Sequence, residues 1–150
     1  MPIPPVEFPT YNSAIEGALR RPDAFGDGGL PGFLGLEMAD VGPGRLTCSM
    51  EVRDDLLNPF GALHGGVIAA LTDHVLGAVM YTVIDRGSWA ATTEFKLNLL
   101  APVRSGSLTA EAVVISMGKR TAVVRVDVTN DGNAAAAGQG TVTIVPPRPA

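Results

Sequence analysis

Apolar positions along the chain follow two rhythms. In "RLTCSMEV" Leu46, Cys48, Met50 and Val52 alternate with polar residues, and in "TTEFKLNLL" Phe95, Leu97 and Leu99 alternate with Glu94, Lys96 and Asn98. Period two predicts half-buried strands. Between His64 and about Ile84 the spacing changes to three and four, which predicts one long apolar helix. Within it, Ile68, Leu71, Val75 and Ala78 form a stripe able to cover a sheet, while Gly66, Ala70, Asp73 and Gly77 form a face of small residues. Upstream, "FLGLEMADVGPGRLTCSMEV" reads as a strand, a Gly-Pro-Gly turn and a second strand. Downstream, "SLTAEAVVISM" leads through "GKR" into "TAVVRVDVTN", and "NDGN" turns the chain into "AAAAGQGTVTIV". A short helix is predicted over about 11–20, capped by Asn12 or Ser13 and stopped by Pro22, and "GDGGLPG" (26–32) reads as loop. Strands, one long helix and then hairpin-connected strands predict an α+β arrangement, an antiparallel sheet wrapped around a central helix.

The 150 residues, 46% of them hydrophobic, suit a single domain spanning 1–150. The Pro-rich ends, 1–10 and 146–150, are expected to be flexible tails. A net charge of −4 provides no basic field for nucleic acid. Gly65 to Ile84 is long enough to span a bilayer, but a central Asp would cost roughly 2.5–3.5 kcal/mol there. The Gly and Ala content and the absence of basic flanks favour a buried helix without membrane contact. "MPIPPVEFPT" contains no signal-peptide pattern, and the one cysteine, Cys48, cannot form an internal disulfide, so a cytoplasmic setting is expected. Cys48 reads as a small core residue, with no base beside it to make it a nucleophile.

"NPFGALHGGVIAALTDHVLGAV" (58–79) carries the chemistry. It places Asp73 and His74 inside an apolar helix, where a carboxylate is hardest to solvate. At the helix start, Gly65 and Gly66 can present backbone N–H groups to a ligand oxygen at the positive end of the macrodipole. They can equally serve only to permit a tight turn. Asp73 stands nine residues beyond His64, roughly 13 Å along the axis at 1.5 Å per residue and on the opposite face. A carbonyl held at Gly65 therefore cannot meet Asp73 of the same helix. Two antiparallel copies related by a two-fold axis would bring them together, and the small-residue face permits that approach. Asp73 could otherwise be a buried carboxylate satisfied by Thr or backbone donors. His64, Asp73 and His74 lack metal-ligand spacing, so no metal is expected. No nucleophile elbow, dinucleotide-binding or phosphate-loop pattern occurs.

That segment, with "TTEFKLNLLAPV", "GKRTAVVRVDV" and "GQGT", resembles the hotdog-fold acyl-CoA thioesterases, in particular the PaaI-like branch of the 4-hydroxybenzoyl-CoA thioesterase superfamily. The likeness runs from about Gly32 to Val145 and implies homodimers, often paired into tetramers, with active sites at the dimer interface. It also implies an acyl-CoA substrate and no cofactor beyond the coenzyme A that is part of that substrate. By the same resemblance Asp73 is the catalytic carboxylate, reaching in from the neighbouring subunit, and Gly65 is the donor that polarises the thioester carbonyl. Asn58 orients carboxylate or water, His64 is the histidine of the HGG motif, and Thr92 holds the water, with Thr93 one register step away. The alternative reading of His64 is structural, holding the loop by hydrogen bonds. Gly66 joins the substrate-binding turn. Lys119 and Arg120 are candidates for coenzyme A phosphates or a solvated hairpin tip, with Arg53 and Arg104 weaker. Trp89 and Phe60 read as core packing before acyl-pocket lining. The implied reaction is hydrolysis of an acyl-CoA to free acid and coenzyme A, with Asp73 acting as base or as nucleophile. The competing readings are a hydratase, whose Asp–His spacing is absent here, and a non-catalytic acyl-CoA-binding protein.

Overall fold

The computed structural model describes residues 5–26 and 28–148, so Asp27 and the outermost parts of both predicted tails fall outside the described residues. The chain forms α1 (Ser13–Leu19), α2 (Gly29–Leu34), β1 (Glu37–Gly42), β2 (Arg45–Glu51), α3 (Gly65–Ala78), β3 (Trp89–Leu99), β4 (Ser107–Met117), β5 (Thr121–Asn130) and β6 (Asn133–Val145). Six antiparallel strands lie in the order β1-β2-β4-β5-β6-β3. This is the hotdog arrangement: α3 packs against β2, β3, β4, β5 and β6, with its Ile68, Leu71, Val75 and Leu76 buried. Ala78 is only half-buried, and Leu76 completes the stripe in its place.

The predicted alternation is visible in burial. Leu46, Cys48 and Met50 face inward along β2, and Val124, Val126 and Val128 do so along β5. The β5–β6 turn pairs Asn130 with Asn133 and places Asp131 (φ 48°) and Gly132 (φ 83°) in left-handed conformations, the geometry a two-residue hairpin requires. On β6, Gly140 lies under α3. A Cβ there would come within 2.7 Å of both the Glu94 carbonyl oxygen and Phe95 Cβ, and within 3.1 Å of Leu76 Cδ1. Absence of a side chain lets the helix and β3 approach β6 together.

Three expectations change. Residues 26–32 are not all loop, because α2 begins at Gly29. Pro31 sits in its first turn, where no N–H is required, and Gly35 (φ 67°) ends it as a left-handed cap, so the apparent breakers are its punctuation. The long helix is α-helical only to Ala78 and continues as a 3₁₀ turn over Val79–Thr82. The N-terminal arm is anchored where it is described: Phe8 packs over Gly44, Thr10 Oγ1 donates to Asp85 (3.1 Å) and the Asn12 N–H donates to the Thr82 carbonyl (2.9 Å). Among the described residues no helix is long and apolar enough to cross a membrane.

The close packing at Gly140 has a measurable consequence. Gly140→Ala should destabilise the chain by about 1–3 kcal/mol, since neither the Glu94 carbonyl nor Phe95 Cβ can retreat without moving β3. The midpoint of urea unfolding measures this, and an unchanged midpoint would show that the sheet yields freely there.

Candidate active site

The loop entering α3 is held at several points before the helix begins. Asn58 Oδ1 accepts from the N–H groups of Phe60 (2.9 Å) and Ala62 (3.2 Å), and the Asn58 N–H donates to the Ala62 carbonyl (2.7 Å). Arg104 donates to the carbonyls of Phe60 (3.2 Å) and Gly61 (3.0 Å), which gives this arginine a structural task. The Leu63 N–H donates to Val103 (2.7 Å) and that of His64 to Leu56 (3.0 Å). An Asx-type turn and a guanidinium clamp thus fix the direction in which α3 starts. Asn58 builds the turn with its carbonyl oxygen, leaving its amide nitrogen with no partner among the described residues.

His64 is the N-cap of α3, and its Nδ1 accepts from the Gly66 N–H at 2.9 Å. This corrects the expectation that both glycine N–H groups are free: Gly66's is taken. Gly65's N–H has no acceptor among the described residues. Because Nδ1 accepts, the cap requires the tautomer with its proton on Nε2, which leaves Nε2–H as a donor on an exposed residue. Leu99 of β3 closes one side of this corner, since a Cβ on Gly65 would stand 2.9 Å from Leu99 Cδ1.

Asp73 is exposed on the single chain, a second correction, and makes no hydrogen bond or ion pair among the described residues. A carboxylate satisfied by Thr or backbone donors is therefore not what this helix holds. The nearby Thr72 hydroxyl donates instead to the Ile68 carbonyl (2.8 Å). Asp73 lines a cleft of about 200 Å³ with Ala70, His74 and an apolar wall of Leu30, Pro31, Leu34 and Leu36. Nothing in the sequence flagged that wall as part of a site; "LPGFLGL" was its only signal. Eight residues of helix separate Asp73 from Gly65, roughly 12 Å.

His74, set aside above as a metal ligand, has no role assigned by the sequence. Its ring meets Phe25 edge-on with centroids 4.4 Å apart, and its Nε2 is buried without a partner. Burial holds its pKa below the ordinary imidazole value, with Asp73 pulling weakly the other way. A buried, unbonded ring nitrogen costs about 1–3 kcal/mol.

The remaining candidates separate by position. Thr92 is half-buried and pairs with Val142, whose side chain is in the core, so it lies on the α3 side of the sheet. The register shift between Thr92 and Glu94 turns Thr93 outward, where its hydroxyl meets that of Thr143 (2.6 Å). Lys119 and Arg120 are exposed at the β4–β5 turn and line a cavity of about 580 Å³ beside Glu7, Val83 and Asp85, beyond the C-terminal end of α3 and far from Gly65 of the same chain. Arg53 pairs with Asp55 (3.0 Å) and lies 5.5 Å from the Phe33 ring centroid. Phe60 and Trp89 are not core: they are 87% and 52% exposed. Cys48 is core, and burial pushes its thiol up to about 12, far from a reactive thiolate.

Residues 60–137 match the family model described as the thioesterase superfamily. The chain is 32% identical to a 1,4-dihydroxy-2-naphthoyl-CoA hydrolase of Listeria monocytogenes over 103 residues, covering 69% of this chain and 84% of the relative. Among solved structures, a thioesterase of Haemophilus influenzae superposes with a TM-score of 0.75 at 27% identity, covering 79% of this chain and 84% of that one. The PaaI protein of Escherichia coli superposes at 0.71 with 24% identity over 77% and 83%, a likeness of fold.

Because the buried His74 binds a proton less readily folded than unfolded, the unfolded chain takes up protons first as pH falls from neutral. Stability should be fully present above the unfolded value near 6.5 and decline from there toward pH 5. His74→Phe, which keeps an aromatic ring against Phe25, should flatten that decline. Unfolding midpoints at pH 7.5 and pH 5 in both proteins measure it, and parallel declines would contradict the assignment.

Proposed function

The chain belongs to the thioesterase superfamily, and on that premise we propose that it hydrolyses acyl-CoA thioesters at a site shared by two copies of the chain. The observation that carries this reading is Asp73 itself: an exposed carboxylate, unpaired among the described residues, on a largely apolar helix and lining a cleft with an apolar wall. In one copy it lies roughly 12 Å from the open Gly65 N–H. Two antiparallel α3 helices meeting at the Gly66, Ala70 and Asp73 face would bring each carboxylate to the other's first turn. The name of the Listeria relative, a hydrolase of a coenzyme A thioester, supports the substrate class.

In this reading the thioester carbonyl accepts from the Gly65 N–H at the positive end of α3, and His64 Nε2–H is assigned as a second donor to it. Charge developing on the oxygen is stabilised by groups already oriented, because the cap bond to Gly66 holds the imidazole in place. The partner copy's carboxylate then takes a proton from water as the water oxygen bonds to the acyl carbon. Collapse of the tetrahedral intermediate expels the coenzyme A thiolate, which is protonated, leaving the free acid. Attack by the carboxylate itself would instead give a mixed anhydride that water cleaves. Thr92, on the α3 side of β3, is the hydroxyl assigned to the water, and Asn58 acts by shaping the entry loop, with its free amide turned to the same task. Lys119 and Arg120 of one copy are assigned to coenzyme A phosphates at the other copy's helix start. A dimer, or a pair of dimers, is the working assembly.

Thiol release from a panel of acyl-CoAs tests the reading. Asp73→Asn should lower kcat by roughly 10²–10⁴-fold, the usual size for a positioned base. Equal turnover by both proteins would remove Asp73 from the mechanism. Tight acyl-CoA binding by an inert wild type would instead indicate a non-catalytic binding protein.

A further inference from the structure

The N-terminal arm has two fixed points, and both lead to Thr82. Phe8 packs over Gly44 (φ 63°), where any Cβ would overlap the phenyl ring, and the Gly44 N–H donates to Thr82 Oγ1 (3.1 Å). Further along, the Asn12 N–H donates to the Thr82 carbonyl (2.9 Å). Thr82 is itself buried at the end of the 3₁₀ turn, and its hydroxyl donates to the Val79 carbonyl (2.8 Å). The arm is thus tied across the far end of α3. Glu7, Pro9 and Thr10 line the cavity of about 580 Å³ that Lys119 and Arg120 share, while Phe8 between them turns its ring to Gly44 instead.

The charged groups around this cavity leave one another unpaired. Lys119 and Arg120 stand on the β4–β5 turn, Glu7 on the arm and Asp85 beyond the 3₁₀ turn. Among the described residues no ion pair joins any of them. Asp85 accepts from Thr10 Oγ1 (3.1 Å), which fastens the arm to the cavity's acidic side. Val83 and Ile144, both buried, add apolar surface. A ligand suited to this lining brings anionic oxygens for the cations, donors for the carboxylates and an apolar body. The volume lies within the roughly 300–1,000 Å³ typical of small-molecule pockets. The adenosine end of coenzyme A offers phosphates, an exocyclic amine and a purine ring, and so meets each need.

Resting on the thioesterase reading above, which assigns Lys119 and Arg120 to coenzyme A phosphates, we propose that residues 7–10 are a strap completing the seat of the coenzyme's adenosine end. The strap makes the protein select full coenzyme A over shorter thiol carriers. Phe8 is a positioning residue: held over Gly44, it keeps Glu7, Pro9 and Thr10 against the nucleotide. Glu7 and Asp85 face the exocyclic amine, and the two cations face the phosphates. Residues 7–10 lie outside the matched stretch 60–137, so this contact comes from the chain's own N-terminal segment.

The experiment measures kcat and KM for one acyl group carried on coenzyme A and on pantetheine, with wild type, Phe8→Ser and Phe8→Leu. Calorimetry adds the binding of adenosine 3′,5′-bisphosphate alone, and thermal unfolding checks each fold. Phe8→Ser should raise KM for the coenzyme A ester about tenfold at constant kcat, with no such rise for the pantetheine ester. Bisphosphate binding should weaken by the same factor, and Phe8→Leu should restore most of both. Equal KM rises for the two carriers, or none for either, overturn the strap and leave the thioesterase reading standing. An inert wild type that binds the bisphosphate in a Phe8-dependent way overturns the reading and keeps the strap. Inertness with no bisphosphate binding overturns both.

Discussion

A helix keeps its residues at fixed separations, and that constraint governs the site. Gly65 and Asp73 belong to one continuous α-helix, so no rotamer of Asp73 can close the roughly 12 Å between them. The open amide and the open carboxylate are each incomplete within a single chain. A donor at a helix N-terminus attracts an anion or a developing oxyanion, while a carboxylate amid apolar neighbours invites something that will satisfy it. The shared-site account joins the two needs through a second copy of the same helix.

Other features of the lone chain agree with an uncovered face. β3 is an eleven-residue strand at one edge of the sheet, hydrogen-bonded among the described strands only to β6, and Leu99 and Leu100 at its end are 56% and 58% exposed. Long unpaired edges with exposed leucines are features that solitary proteins avoid. Leu99 also touches the Gly65 corner, so the edge and the open amide belong to one surface. The opposite end of α3 is treated differently. There α1 and Phe25 leave the space around His74 partly filled, with the ring nitrogen unsatisfied.

Much of this was legible from residue pattern. Alternation in β2 and the later strands, the "NDGN" turn and the three-four rhythm of α3 all match the structure because burial on one face dictates them. α2 was misread because Gly29 and Pro31 read as breakers when taken one at a time and Phe33 to Leu36 read as the start of a strand, whereas a short helix can place Gly29, Pro31 and Gly35 at its ends. Asp73 was read as buried because periodicity reports which residues share a face, not whether a second element covers it. The Gly66 bond to His64 could not be foreseen, since a histidine cap depends on ring rotation rather than on spacing. His74 stands out in the sequence as a histidine in an apolar helix, but its missing partner is something only packing reveals.

Complementation between two disabled chains tests the shared site most directly. Gly65 is the first helical residue, and His64 before it is extended (ψ 131°), so Gly65→Pro deletes that open N–H at a position that tolerates proline. The tip of Leu99 must move aside for the ring. Gly65→Pro and Asp73→Asn chains, purified separately, should each be inactive. Random exchange should yield mixed dimers with one intact site each, restoring about a quarter of wild-type activity per chain. Mixtures that light scattering and tag exchange show to be reassorted, yet no more active than their parents, would contradict the account.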